Sequence, residues 1–183
     1  VICLLIFGIT AIYIAVSHDY PASAWAIVGQ QIAWITLGVV ISFVVMFFNT
    51  KFLWQMTPLL YIFGLGLMIL PLIFYSPTLV ASTGAKNWVT IGGTTLFQPS
   101  EFMKISYILM LSRSVVQFSQ RHKEKVRTLG MDWLLILELF LYTIPVLLLL
   151  TLQSDLGTAL VFIAIFSGII LLSGVSWKII LPI

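Results

Sequence analysis

The sequence predicts an all-α membrane protein: a polytopic bundle of six transmembrane helices and the start of a seventh, with a β-hairpin in one outer loop. Of its 183 residues, 61% are hydrophobic and 8% are charged, whereas an average soluble domain is about 25% charged. Long uncharged stretches recur, each close to the roughly 20 apolar residues that cross a bilayer. A Gly-Gly pair between two β-rich tetrads indicates the hairpin. This composition argues against a water-soluble globule and a disordered chain.

The charges that bound the uncharged stretches mark the ends of the spans. The predicted spans are residues 1–16, 25–48, 57–74, 99–118, 133–152 and 155–172, with 177–183 beginning a seventh. We expect one domain over residues 1–183, truncated at its C-terminus, because no repeat or soluble segment interrupts the pattern and the chain starts without Met.

The basic residues are concentrated in every second predicted loop. Seven lie in loops 49–56, 113–132 and 173–178, and one, Lys86, lies in loops 17–24, 75–98 and 153–154. Since cytoplasmic loops carry the excess of Lys and Arg, the first set is predicted to be cytoplasmic and the chain to begin inside. The basic stretch 113–127 is interpreted as a topology anchor, with a lipid-headgroup or partner site as the alternative. Basic residues placed in this way argue against nucleic-acid binding.

Residues 88–97 predict the outer hairpin, because Gly92-Gly93 suits a two-residue type I′ turn. Counting outward from the turn pairs Ile91 with Thr94, Thr90 with Thr95, Val89 with Leu96 and Trp88 with Phe97. Asn87 would then face Gln98. The hairpin is expected to hold Lys86, Asn87 and Trp88 over the outer end of the fourth span.

Charged residues inside or beside the spans are the candidates for function. Glu101 follows Pro99 at a helix start, where the helix dipole alone could explain an acid. Lys104 lies deeper, and its spacing from Glu101 allows a local ion pair. Asp155 suits a helix N-cap, and Glu138 is expected to be buried, hydrogen-bonded and structural.

These candidates share a depth, except for Glu138. Glu101, Lys104, Asp155, Lys86 and Trp88 are all predicted toward the outer leaflet. Lys can meet phosphate, Trp can stack on a sugar, and carboxylates can do acid–base work, so the pattern predicts a site for an amphiphile with a polar head. No metal-ligand cluster is predicted, because His18 and His122 fall on opposite sides of the membrane.

Three segments carry a resemblance to a known family: K-N-W at 86–88, F-Q-P-S-E-F-M-K at 97–104 and Q-S-D-L-G-T-A-L at 153–160. In residue type, order and spacing they resemble the SEDS family (shape, elongation, division and sporulation), the RodA/FtsW proteins, over essentially the whole chain. The resemblance slightly favours the RodA side.

The resemblance implies a ten-span peptidoglycan glycosyltransferase of the bacterial cytoplasmic membrane, working in elongation or division and in cell shape. It implies lipid II as the substrate and a class B penicillin-binding protein transpeptidase as the partner. A hydroxyl of one disaccharide attacks the anomeric carbon of another, undecaprenyl pyrophosphate leaves, and a carboxylate acts as general base in one inverting displacement. The family's proposed base is an Asp in a later outer loop, beyond Ile183, so a 183-residue fragment is expected to be inactive alone.

Carried over motif by motif, the resemblance implies two groups of site residues. The catalytic side of the cavity would hold Glu101, Lys104 and Asp155, and the substrate would contact Lys86, Asn87, Trp88, Gln98 and Ser100. No cofactor is implied with certainty, and a divalent cation at the pyrophosphate is left open.

Two positions depart from the family pattern. Lys86-Asn87 stands where an Arg before Trp88 is common, and Lys lacks the bidentate geometry of Arg. Ser154 stands where Pro is common, and as a better N-cap it is expected to preserve the helix start.

Two alternatives to the enzyme stay open. A flippase of lipid-linked precursors would carry polar groups at both membrane depths, and here only Glu138 lies toward the cytoplasm. A scaffold for a transpeptidase would tolerate loss of Lys104 and Asp155.

Overall fold

The computed structural model describes residues 1–19, 24–92, 94–122 and 128–176. Its elements, in chain order, are α1 (Ile2–Asp19), α2 (Ala24–Met46), α3 (Thr50–Ile73), α4 (Pro77–Thr83), β1 (Val89–Ile91), β2 (Thr94–Phe97), α5 (Pro99–Arg121), α6 (Leu129–Leu152) and α7 (Leu156–Leu172). The predicted start of a seventh span, at 177–183, lies outside the described residues. The chain forms two compact units, Val1–Leu53 and Trp54–Ile183, and the single domain stays a prediction.

The helices supply several candidate membrane spans. Among the described residues, α2, α3 and α6 are long and apolar enough to cross a bilayer, and α1 and α7 provide shorter apolar helices. Helix α5 has a similar length but carries four charged side chains. A mostly helical chain with several candidate spans is therefore confirmed, while the count of six spans stays a prediction.

Two predicted cytoplasmic loops are shorter than expected, because the helices continue through them. Helix α3 begins at Thr50 rather than near residue 57, and α5 extends to Arg121 rather than ending near 118. Long basic side chains explain the difference: Lys51 and Arg121, which are both exposed, can sit on a helix and still extend their charge toward water. The charged residues therefore lie within the first or last turn of these helices and do not mark the residues at which the helices end.

The first unit consists of α1, α2 and the beginning of α3. The rings of Tyr13 and Trp25 lie 5.5 Å apart, and α2 buries only Ala24 and Val28 among its described residues. Most other side chains of α2 are apolar and exposed, as expected for a helix whose solvent is lipid.

The second unit has its core where α5, α6 and α7 pack together. Tyr107 of α5 is fully buried, its hydroxyl lies 2.7 Å from that of Thr143 on α6, and its ring lies 5.1 Å from Phe162 on α7. Because a buried tyrosine hydroxyl needs a partner, the Thr143 contact allows an aromatic residue to fill the centre of the unit.

Helices α3 and α5 approach each other closely at Gly64. A Cβ at Gly64 would lie 2.7 Å from Met103 Sδ and 3.0 Å from Ser106 Oγ, whereas a Cβ at Gly66 would meet nothing within 4 Å. Small residues permit such close packing of membrane helices. Gly64 is therefore required by the packing, and Gly66 is not.

An arginine compensates for a proline within α3. Pro58 has no N–H and cannot bond to the carbonyl of Trp54, four residues earlier. Arg113 of α5 donates from Nη1 to that carbonyl, and its guanidinium lies 5.6 Å from the Trp54 ring centroid. The arginine thus satisfies the freed acceptor and joins α3 to α5.

The hairpin forms, but its register differs from the prediction. Ile91 pairs with Thr94 and Thr90 with Thr95, as expected, whereas Val89 pairs with Phe97 instead of Leu96. The ladder is irregular between Val89 and Thr90, which leaves Leu96 as an extra residue on β2, a β-bulge. The predicted pairs Val89–Leu96 and Trp88–Phe97 are therefore wrong.

The outer segment also contains a short helix that was not predicted. Helix α4 begins after Ser76, whose side chain accepts a hydrogen bond from the Leu79 amide, with Pro77 in its first turn. It ends at Gly84, which has a φ of 75°. Ser followed by Pro is a recognisable helix start, so the local signal was present in the sequence.

Candidate functional site

The turn between α6 and α7 connects several elements at one end of the second unit. Gln153 is buried, its Nε2 donates to the carbonyl of Met68 at 2.6 Å, and its own carbonyl accepts from the Lys86 amide at 2.8 Å. Ser154 has a φ of 58°, the left-handed conformation that non-glycine residues rarely adopt. The turn therefore links α3 and the segment before β1 to the start of α7.

Asp155 collects hydrogen bonds from three directions. Oδ1 accepts from the Thr158 amide at 3.0 Å, which caps the N-terminus of α7. Oδ2 accepts from Asn87 Nδ2 at 2.7 Å, from Thr158 Oγ1 at 2.8 Å and from Gln98 Nε2 at 3.4 Å. The carboxylate thus ties together the two ends of the hairpin segment and the first turn of α7.

These contacts affect the ionisation of Asp155, which precedes the apolar part of α7. Burial raises the pKa of the carboxyl, but the hydrogen bonds from the Thr158 amide, Asn87, the Thr158 hydroxyl and Gln98 together lower the pKa by more than burial raises it. The pKa of Asp155 therefore lies below its usual value, and the group is a carboxylate at neutral pH.

Glu101 and Lys104 form an ion pair one turn into α5. Lys104 Nζ lies 2.8 Å from both Glu101 oxygens. The Glu101 side chain is 62% exposed and that of Lys104 26% exposed. The predicted local pairing is confirmed, as is the start of α5 at Pro99.

The other predicted site residues have separate surroundings. Lys86 Nζ lies 4.6 Å from the centroid of the Tyr75 ring, and Trp88 is more than one-third exposed. Ser100 is buried, and its hydroxyl has no hydrogen-bond partner among the described residues; the same holds for Asn87 Oδ1.

The structure thus joins some of the predicted residues and not others. Asn87 and Gln98 meet at Asp155, and the Lys86 main chain binds the adjacent Gln153. Within the described ranges, the ion pair of Lys104 is with Glu101, and none is found for Asp155. Asp155 caps α7 as predicted, and the helix start is preserved as expected. The expected capping role of Ser154 is wrong, because Ser154 lies one residue before the N-cap and has a positive φ.

The opposite end of the second unit holds two further acids. Glu138 is half-buried rather than buried, and its carboxylate lies 3.8 Å from Arg121, whose side chain is 60% exposed. The expected burial is therefore wrong, because the partner of the carboxylate lies at the surface. Asp132, not singled out from the sequence, is buried and accepts from the Ser176 amide at 3.0 Å. An acid in the first turn of an apolar helix was the available signal.

No group of three or more His, Cys, Asp or Glu residues that could hold a metal ion occurs in the part of the chain that the structure describes. The donors around Asp155 are amide and hydroxyl groups, which suit a hydrogen-bonded carboxylate. Asp155 and its donors Asn87, Gln98 and Thr158, here called the polar centre, are therefore held together by hydrogen bonds.

The helices and the polar groups at their ends define a helical protein with several candidate membrane spans and a polar centre at one end. The chain belongs to the FtsW/RodA/SpoVE family of cell cycle proteins, which it matches over residues 1–183.

Named relatives refine this membership. The chain is 28% identical to a probable peptidoglycan glycosyltransferase FtsW of Nitrosomonas europaea, over 97% of this chain and 45% of the relative. It is 30% identical to the peptidoglycan glycosyltransferase RodA of Treponema pallidum, over 84% of this chain and 32% of the relative. It is 35% identical to the peptidoglycan glycosyltransferase MrdB of Helicobacter pylori, over 55% of this chain and 25% of the relative.

The chain spans less than half the length of each of these relatives. No solved structure matches it.

Proposed function

We propose that this chain is part of a peptidoglycan glycosyltransferase that polymerises lipid II at the outer face of the bacterial cytoplasmic membrane. The observation that carries this proposal is the family match over the whole chain, together with relatives named as peptidoglycan glycosyltransferases. The alternation of basic residues supports a topology in which the hairpin and the α6–α7 turn face outward. This topology has six spans and begins a seventh.

The proposed reaction is one inverting displacement. The 4-hydroxyl of one disaccharide attacks the anomeric carbon of a second lipid-linked disaccharide, a glycosidic bond forms, and the bond to undecaprenyl pyrophosphate breaks. A carboxylate base takes the proton of the attacking hydroxyl, and the leaving group departs with the electron pair. By the resemblance, that base belongs to a later outer loop, so the described residues would supply binding and orientation.

Glu101 and Lys104 are the proposed charged pair of the site. Lys104 is positioned one turn into α5 and partly exposed, so its ammonium can contact a pyrophosphate oxygen if Glu101 releases it. Glu101 neutralises Lys104 when no substrate is bound, which lowers the cost of holding a cation near the membrane. The pair is thus proposed to open when the anionic substrate arrives.

Asp155 is proposed as a positioning residue. Its contacts with Asn87, Gln98 and Thr158 occupy both carboxylate oxygens. By fixing Asn87 and Gln98, it orients the neighbouring Lys86, Trp88 and Ser100, which are proposed to contact the headgroup. A class B penicillin-binding protein is the proposed partner.

The test is lipid II polymerisation by the full-length protein with its partner transpeptidase inactivated. Lys104→Ala is expected to lower glycan synthesis at least about 100-fold, the scale of a lost charge contact in a transition state. Lys51→Ala is the matched control, because Lys51 is an exposed lysine in the other compact unit. Equal thermal unfolding midpoints for the variants would show that a loss of synthesis is not a loss of folding.

Near-normal synthesis by Lys104→Ala would refute the assigned role of Lys104. If wild-type protein made no strands but moved lipid II across vesicle membranes, the flippase would replace the enzyme. If it did neither while still binding the transpeptidase, the scaffold would be favoured.

A further inference from the structure

The hairpin end of the second unit carries an exposed apolar surface that the proposed reaction does not use. It consists of Phe74, Tyr75, Ile91, Leu96 and Phe97, here called the apolar collar, and each is more than one-third exposed. Ile91 is the most exposed of the five, at 55%. An exposed apolar group of this kind in a folded protein commonly marks a contact surface.

A hydrogen bond sets the depth of the apolar collar relative to α3. The Thr90 amide donates to the Phe74 carbonyl at 3.0 Å, and Phe74 directly follows the last residue of α3. Helix α3 has 24 residues and so spans about 36 Å at 1.5 Å per residue, which exceeds the roughly 30 Å thickness of the hydrocarbon core. A helix of this length can place its last turn, and the hairpin bonded beside it, where hydrocarbon gives way to headgroups.

The chemistry of the segment fits that layer. The apolar collar contains three aromatic residues, the residue class enriched at membrane interfaces when it carries a polar handle, as Tyr75 does. Residues 75–98 contain no Asp or Glu and one basic residue, Lys86. Lys86 lies against the Tyr75 ring, where its ammonium can meet lipid phosphates. An acid-free segment with one cation suits a phospholipid surface.

We infer that the hairpin is an interfacial membrane anchor, whose apolar collar inserts into the headgroup and acyl boundary of the outer leaflet. Apolar faces of interfacial elements typically lie about 5–10 Å into this boundary. The β-bulge at Leu96 has a role here, because an extra residue re-aims side chains and leaves Leu96 exposed beside Phe97. The inference does not depend on the reaction proposed for the protein.

The test measures the depth of Ile91 in a bilayer. The full-length protein, with Cys3 and every other native cysteine replaced by Ser, receives Ile91→Cys, is labelled with a fluorescent maleimide, and is reconstituted in phosphatidylcholine–phosphatidylglycerol vesicles. Quenching is measured with lipids brominated near the headgroup or near the chain terminus, and with aqueous iodide. Ile62→Cys is the matched reference, since Ile62 is an exposed isoleucine at the middle of α3.

Insertion predicts that headgroup-proximal bromines quench the Ile91 probe more than terminal bromines, with the opposite order for Ile62. Leu96→Cys should behave like Ile91→Cys, which guards against one variant failing to fold. A probe reached by iodide and by no brominated lipid would overturn the proposal and leave the hairpin in water. A probe protected from every quencher would also overturn it and would indicate a protein partner on the collar.

Discussion

Two acidic side chains at the same end of the second unit have contrasting partners. Asp155 is 7% exposed and surrounded by neutral donors from three parts of the second unit. The side chain of Glu101 is 62% exposed, and its carboxylate pairs with Lys104, three residues further along the same helix. The first carboxylate is fixed by long-range contacts, and the second by a local pair that can separate.

This contrast indicates which of the two carboxylates is suited to holding the structure together and which to contacting a ligand. A carboxylate that accepts hydrogen bonds from distant segments orients those segments, but both of its oxygens are then occupied and not free for a ligand. An exposed ion pair is worth about 0–1 kcal/mol and is easily exchanged for a charged ligand. We therefore expect stability and hairpin geometry to depend on Asp155, and activity to depend on Glu101 and Lys104.

The largest effect on stability is expected for Asp155→Ala. This change removes the α7 cap and leaves the Asn87 and Gln98 amides without their acceptor, at a cost of about 2–4 kcal/mol. Unfolding in mixed micelles measures the loss of stability, and hydrogen exchange should quicken over residues 86–97. Asp155→Asn should recover part of the loss, because Asn also caps helices and Asn87 has an unpartnered oxygen that could accept from the new amide.

Glu101→Ala is the matched comparison for Asp155→Ala. Because Glu101 is exposed, its removal should change stability by no more than about 0.5 kcal/mol and should leave exchange in the hairpin unchanged. Equal losses for the two variants would contradict the contrast between a fixed and a separable carboxylate.

A smaller effect is expected from pH, through the lowered pKa of Asp155. A carboxyl whose pKa is lower in the folded state stabilises the fold fully above its unfolded pKa of about 3.9, and this stabilisation declines as pH falls through the folded value. Wild-type unfolding midpoints should therefore fall on acidification below about pH 4. Asp155→Asn should lack this part of the decline, whereas Glu101→Gln should retain it; identical acid profiles for wild type and Asp155→Asn would refute the assignment.

The sequence predicted best those features that depend on neighbouring residues. The Pro99 helix start, the Glu101–Lys104 pair and the Asp155 cap all depend on spacings of a few residues. Pairing at Ile91 and Thr90, beside the turn, was also correct. Such local signals act over one turn of helix or one hairpin turn, so a single sequence contains them in full.

Features that depend on distant residues were missed. The hairpin register changes at Val89, close to the end of the hairpin where Asn87 and Gln98 donate to Asp155. Asp155 lies 68 residues after Asn87 and 57 after Gln98. The Arg113 contact with Trp54 likewise joins residues 59 positions apart. Neither contact leaves a mark in the spacing of nearby residues, so only the three-dimensional arrangement reveals it.

The smallest predicted effect concerns the turn that carries Asp155. Ser154 has a φ of 58°, which is costly for an L-residue with a Cβ and readily adopted by glycine. Ser154→Gly removes this strain but increases the freedom of the unfolded chain, so the net gain in stability is about 0.5 kcal/mol. Ser154→Ala is the control, because it keeps the Cβ and should give no gain. Because this turn orients Asp155, hydrogen exchange at the Lys86 amide is measured alongside stability. A gain in stability for Ser154→Gly with unchanged exchange would show that the strain is confined to the turn. The hydrogen bonds of Asp155, rather than the backbone conformation of Ser154, would then hold the hairpin in place.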